Sequence, residues 1–200
     1  MKNKKIAKLT QSAILAALCF VTFTYLQIKI PVPGGDATSI HFGNVFLVLA
    51  ALLIGGFYGG LAGAIGMTIA DIMDPVYILV APKTFVLKLC IGLIVGLIAH
   101  RIGRINHTND PKKVFKYALS GSIIGMAFNV FADPIVGYFY KIYVLGHPAD
   151  VASVLAKLSA GVTFFNAITT VIIAMLLYTA LRPILVKSNL LVDYDIIEDK

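Results

Sequence analysis

Apolar positions dominate six segments of the chain, at about 9–30, 41–54, 58–73, 84–100, 114–140 and 158–181. A membrane helix needs roughly 20 apolar residues to cross about 30 Å of hydrocarbon. The pattern therefore predicts an all-α integral membrane protein of six transmembrane helices, forming one membrane domain over residues 1–200. The second and third segments are short and meet at Gly55-Gly56-Phe57-Tyr58-Gly59-Gly60. Paired glycines admit a tight turn, so a helical hairpin is expected there in preference to one long, broken segment. Gly59, Gly63 and Gly66 fall on one face of the third helix, where packing within the protein explains them.

Composition narrows the class. Of 200 residues, 58% are hydrophobic and 14% charged, and the mean hydropathy is +0.88. Soluble domains carry about 25% charge, so this chain lacks the polar surface of a soluble enzyme or a nucleic-acid-binding domain. Cys19 and Cys90 lie in apolar runs and read as packed thiols. His41, His100, His107 and His147 show no metal-ligand spacing, and no metal is expected; His41 and Asn44 are placed to cap or stabilise the entry to the second span, a role preferred over substrate binding. The apolar stretch after the basic N-terminus is too long for a cleavable leader and lacks a clear cleavage site.

The net charge of +7 is a topology signal. Lys2, Lys4, Lys5 and Lys8 precede the first span; Arg101, Arg104, Lys112, Lys113 and Lys116 lie between the fourth and fifth; Arg182, Lys187 and Lys200 follow the sixth. Those twelve face Lys29, Lys83 and Lys141 on the other side. Cytoplasmic loops hold the excess of Lys and Arg, which predicts both termini in the cytoplasm and an even number of spans. The acidic tail 193–200 is expected to be a frayed cytoplasmic end.

Polar residues inside apolar spans are costly and are functional candidates. Asp133 and Asn129 share a helix face four residues apart. Pro134 lacks an N–H and deprives the Val130 carbonyl of its helical donor. A carboxylate, an amide and a freed carbonyl could read the donors of a polar ring; the structural alternative is a kink with Asp133 paired to lysine. Lys88 could donate to a ligand or pair with Asp133 or Asp71. Asp71 is deep enough to face a pocket or a lysine, and Asp74 starts an outer turn with Pro75. Asn166 is preferred over Lys157, which lies nine residues away and so on the opposite face. Lys83 is expected to snorkel to the surface. Tyr77 and Tyr138 are either interfacial anchors or stacking surfaces for a flat ring. Thr38 and Ser39, in the outer loop 31–39, are further candidates for ligand contact, against an ordinary surface connection.

Ala13 and Ala17 share a face of the first span, a spacing that allows close helix approach. Packing inside the protein is the plain interpretation, and docking to another subunit the sharper one. Together with the basic N-terminus, the six spans, the run Ile40-His41-Phe42-Gly43-Asn44 and the glycine-rich hairpin, this pair makes the chain resemble the S component of energy-coupling factor (ECF) vitamin transporters. The stretch 38–74 is most similar to the riboflavin and hydroxymethylpyrimidine branch. The resemblance implies a non-catalytic substrate-capture subunit in a bacterial cell membrane. Its loop 31–39 would cover substrate, and Ala13 and Ala17 would meet a transmembrane coupling (T) subunit joined to two ATPases. No G-x-x-x-x-G-K-[ST] sequence is present, so no cofactor is expected on this chain, and ATP and magnesium would belong to the partners. The substrate expected is a small heteroaromatic vitamin or precursor, first hydroxymethylpyrimidine, then pyridoxine or riboflavin. Two alternatives are a stand-alone ion-coupled carrier using Asp133 and Lys88, and an intramembrane enzyme with Asp71 and Asp133 as an aspartyl dyad.

Overall fold

The computed structural model describes residues 2–32 and 36–191; residues 33–35 and the acidic tail lie outside the described residues. Six helices follow in order: α1 (Lys2–Tyr25), α2 (Gly43–Ile54), α3 (Gly56–Met73), α4 (Ala81–Gly96), α5 (Pro111–Tyr143) and α6 (Ala149–Lys187). Between α1 and α2 lies an antiparallel hairpin of β1 (Gln27–Val32) and β2 (Asp36–His41), registered from Gln27 opposite His41 to Val32 opposite Asp36.

This hairpin corrects the expected first span, which ended at residue 30, and adds a short two-stranded element to an otherwise helical fold. The chain leaves the helix after Tyr25 because Gln27-Ile28-Lys29-Ile30 alternates polar and apolar residues, a period of two that suits a strand. Pro31 then removes an N–H that a continuing helix would need.

Among the described residues, five helical stretches are long and apolar enough to cross a membrane, α4 only together with the helical turns that flank it (Ile78–His107), whereas α2 is a shorter apolar helix. Its twelve residues span about 18 Å at 1.5 Å each, well under the hydrocarbon thickness. Eleven of the twelve are buried. A helix that is hydrophobic all round belongs in a core, and α2 packs against α1, α3, α4 and α6. The turn from α2 to α3 rests on Gly55, whose φ of 91° and ψ of 160° fall in a region essentially reserved for glycine. The helical hairpin is therefore present, but its first arm is an interior helix.

Small residues let neighbouring backbones touch. A Cβ on Gly92 of α4 would lie 2.1 Å from the Gly60 Cα of α3, and one on Gly66 would lie 2.2 Å from the Ala16 carbonyl oxygen of α1. These approaches fix α3 between α1 and α4. The Gln11 side chain donates to the Leu190 carbonyl at 2.7 Å, so the two ends of the described chain meet at one end of the bundle, opposite the β-hairpin.

The exterior is apolar. Ile168, Ile172 and Leu176 are 46%, 54% and 64% exposed along one face of α6, and Ile65, Ile69 and Ile72 of α3 are exposed likewise. Meanwhile Asn44, Asp71, Lys88, Asn129 and Asn166 are buried. An apolar outside over a partly polar inside is what a lipid surround favours, and it inverts the pattern of soluble domains.

Candidate functional site

At the hairpin end, polar residues of five helices, Asn44 of α2 among them, converge on a cavity of about 110 Å³. Helical spacing explains the convergence. Thr84 and Lys88 of α4, Asn129 and Asp133 of α5, and Ser159, Thr163 and Asn166 of α6 are three or four residues apart, so each set shares one face. Asp71 comes from the last turns of α3 and Tyr77 from the loop beyond it, while Thr38, Ser39 and His41 of β2 close the top.

Eight of the nine residues expected to contact a ligand line this cavity: Asp133, Asn129, Lys88, Asn166, Asp71, Tyr77, Thr38 and Ser39. Tyr138 does not. It borders a shallow groove between α5 and α6, together with Pro134 and Lys157. The opposition of Lys157 and Asn166 follows the helix: one faces that groove and the other the cavity.

The partners inside the cavity differ from those expected. Asp133 pairs with Lys83, whose Nζ donates to Oδ1 at 2.9 Å. Ser159 donates to the other oxygen, Oδ2, at 2.7 Å, and Thr163 does so at 3.4 Å. Lys83 therefore does not snorkel; it sits in the first turn of α4, within reach of α5. Both oxygens of Asp133 are engaged, which leaves no proton-sharing dyad with Asp71. Helix α5 continues through Pro134 to Tyr143.

Several polar groups stay open. Asp71 is 1% exposed and Asn129 2%, yet Oδ2 of Asp71 and Oδ1 of Asn129 are buried without a hydrogen-bond partner. The Tyr77 hydroxyl and His41 Nδ1 are in the same condition. Buried polar atoms are ordinarily satisfied, so a cluster of open ones in one cavity marks a place where a ligand or water completes the bonding.

Asn166 has a different task. Its Nδ2 donates to the Ser39 carbonyl at 2.9 Å, and its Oδ1 accepts from the His41 N–H at 3.2 Å. One side chain on α6 thus clamps β2 over the cavity. A second tie joins Lys29 of β1 to Asp74 at the end of α3, with the same ammonium 5.5 Å from the centre of the Tyr77 ring. Asp74 also accepts from the Val76 N–H at 3.1 Å, forming the expected turn. The expected capping of α2 is not found: Phe42 occupies that position with no side-chain cap, and His41 instead packs edge-on against Phe23 at 4.6 Å.

Sequence reasoning missed Lys83 as a partner, His41 as a cavity wall, and Ser159 and Thr163 altogether. The signal for the last two was a polar stripe, Ser159, Thr163 and Asn166, at helical spacing through an apolar run.

A second concavity lies along α1 and α3. It measures about 540 Å³ and is lined by Leu9, Ala13, Ala16, Ala17, Phe20, Ile65 and Ile69 among others. Ala13 and Ala17 are exposed on it. The alanine that packs closely inside the protein is Ala16, against Gly66; internal packing therefore does not account for Ala13 and Ala17.

Comparison with known proteins adds two findings. A family model described as the S component of ECF-type riboflavin transporters matches residues 3–183. An uncharacterized protein in the gap 3′ region of Pyrococcus woesei is 30% identical over 128 residues, which are 64% of this chain and 74% of that protein.

Proposed function

Because this chain belongs to the family of ECF-type riboflavin transporter S components, we propose that it captures a small heteroaromatic vitamin or precursor for an ATP-driven importer. The observation that carries this reading is the cavity beneath the β-hairpin, where open polar atoms of Asp71, Tyr77 and Asn129 face one space. Such atoms suit a ring bearing hydroxyl, amino or ring-nitrogen groups. An engineered cavity of 150 Å³ accepts benzene, so about 110 Å³ favours one ring over three fused ones. Hydroxymethylpyrimidine is the first candidate, ahead of pyridoxine and riboflavin.

In this reading the hairpin faces outward, both termini are cytoplasmic, and the bulk of the basic residues stays inside. The chain is a multi-pass protein of a bacterial cell membrane and is not an enzyme. Ala13 and Ala17 meet the transmembrane coupling subunit, and two ATPase subunits supply ATP hydrolysis with magnesium. The apolar groove supports this docking, since small exposed residues let another helix approach.

Calorimetric titration of the purified chain in detergent, without partners, tests the reading. The panel is hydroxymethylpyrimidine, thiamin, pyridoxine, riboflavin, folate, pantothenate and biotin. One-to-one binding of a single-ring compound, weakened about tenfold by Asn129→Ala, is the expected result. Binding that ignores Asn129→Ala would move the site elsewhere.

A further inference from the structure

Lys88 is the eighth residue of α4, about 10 Å along the helix axis from its start. It lines the cavity with 7% of its surface exposed. That depth separates it from a lysine whose ammonium reaches water along a flexible stem. Among the described residues it makes no hydrogen bond, and no carboxylate lies within the 4.0 Å that defines an ion pair. Asp133, an expected partner, is taken by Lys83 and the hydroxyls of α6. Asp71, the other, lines the same cavity with Oδ2 open.

A charged side chain this deep is costly unless it is paired and hydrogen-bonded. Yet Lys88 and Asp71 line one small space without joining. The arrangement is satisfied by a molecule between them that accepts from the lysine and donates to the carboxylate. The open oxygen of Asn129 asks for a further donor.

Resting on the proposed capture role, we infer that Lys88 is a specificity residue for an anionic group on a compact heteroaromatic ligand, whose amino, hydroxyl or ring N–H groups are taken by Asp71 and Asn129. Within the single-ring class, the site then prefers a ring carboxylate over the neutral ring of the same shape.

Matched pairs test this on the purified full-length chain in detergent. One pair is nicotinate and nicotinamide. The other is hydroxymethylpyrimidine and the carboxylate made by oxidising its hydroxymethyl group. A hydrogen bond to a charged group contributes about 1.5–3 kcal/mol, so in at least one pair the carboxylate is expected to bind at least about tenfold more tightly. Lys88→Gln is expected to bring that ratio near one; Lys88→Arg is expected to keep a preference for the carboxylate. The wild-type ratio needs no variant, so a misfolded Lys88→Gln does not remove the test. Equal or tighter binding of the neutral member in both pairs overturns the inference and leaves the capture role standing. A preference that survives in folded Lys88→Gln also overturns it. If neither pair binds but another panel compound does, the inference fails alone; if nothing in either set binds, the capture role fails with it.

Discussion

The cavity beneath the β-hairpin gathers polar side chains from α2, α3, α4, α5 and α6, whereas the groove between α1 and α3 is lined chiefly by alanine, leucine, isoleucine and phenylalanine. In the cavity, what matters is incomplete bonding: Asp71, Tyr77 and Asn129 each keep a buried atom open. In the groove, what matters is missing bulk: Ala13 and Ala17 stand exposed where larger side chains would fill the space. In the proposed reading, one region completes the bonds of a small polar molecule, and the other admits a helix, where packing of small residues supplies the attraction. The two share α3, which carries Asp71 to the cavity and Gly66 to the contact with α1, yet they present separate surfaces, so substitutions can address them one at a time.

The sharpest way to break this comparison is to fill the groove. Ala13→Leu combined with Ala17→Leu is expected to abolish vitamin uptake by cells producing the complete transporter. Binding to the isolated chain should stay within about twofold, because neither residue lines the cavity. Equal loss of binding and uptake would mean that the groove is part of the capture site or of the core. Undiminished uptake would remove the docking assignment.

The cavity contains its own division, between groups already satisfied and groups left open. Asp133→Ala leaves the Lys83 ammonium, with a side chain 12% exposed, without its counter-ion. Removing one partner of a buried pair costs about 3–5 kcal/mol; the partial exposure here places the expectation at about 2–3 kcal/mol, read as a lowered Tm in detergent. Asn129→Ala removes an atom with no partner in the protein and should lower Tm far less while weakening binding. Equal shifts in Tm for both variants would erase the distinction between structural and open polar groups.

Much of this architecture was legible in the chain. Apolar segments and basic flanks located the helices, because lipid leaves few ways to satisfy a backbone. Convergence of Asp71, Lys88, Asn129, Asp133 and Asn166 was also legible, since polar residues in an apolar helix turn toward an interior. Pairing was not. Whether Asp133 meets Lys83 or Lys88 depends on the relative rotation and depth of α4 and α5, which periodicity within each helix does not define. The β-hairpin was missed although its alternation was present, because Leu26 to Ile30 extends an apolar run and a search for spans absorbs it. That Tyr138 faces the α5–α6 groove and not the cavity was hidden for a related reason: angular position around α5 was not readable.

The clamp on the β-hairpin sharpens the comparison further. Asn166→Ala deletes two hydrogen bonds to β2. At about 1 kcal/mol net each, backbone amides of residues 36–41 should exchange roughly tenfold faster or more, and bound ligand should dissociate faster. The groove should be untouched. Unchanged exchange would show that packing of Phe23 and His41, and not Asn166, holds the hairpin down.

The smallest effect is expected at the tie between β1 and the end of α3. Lys29 reaches both the Asp74 carboxylate and the Tyr77 ring, but its side chain is 41% exposed. Water and salt screen such a pair, and exposed ion pairs contribute about 0–1 kcal/mol. Lys29→Ala should therefore speed amide exchange in residues 27–32 by no more than about fivefold, with the difference from wild type shrinking as salt is raised. An effect as large as that of Asn166→Ala, and insensitive to salt, would mean that the hairpin is held chiefly from α3. The cavity would then open from the side nearer the groove, and a substitution that disturbs the α1–α3 contact would be expected to alter ligand release as well as docking.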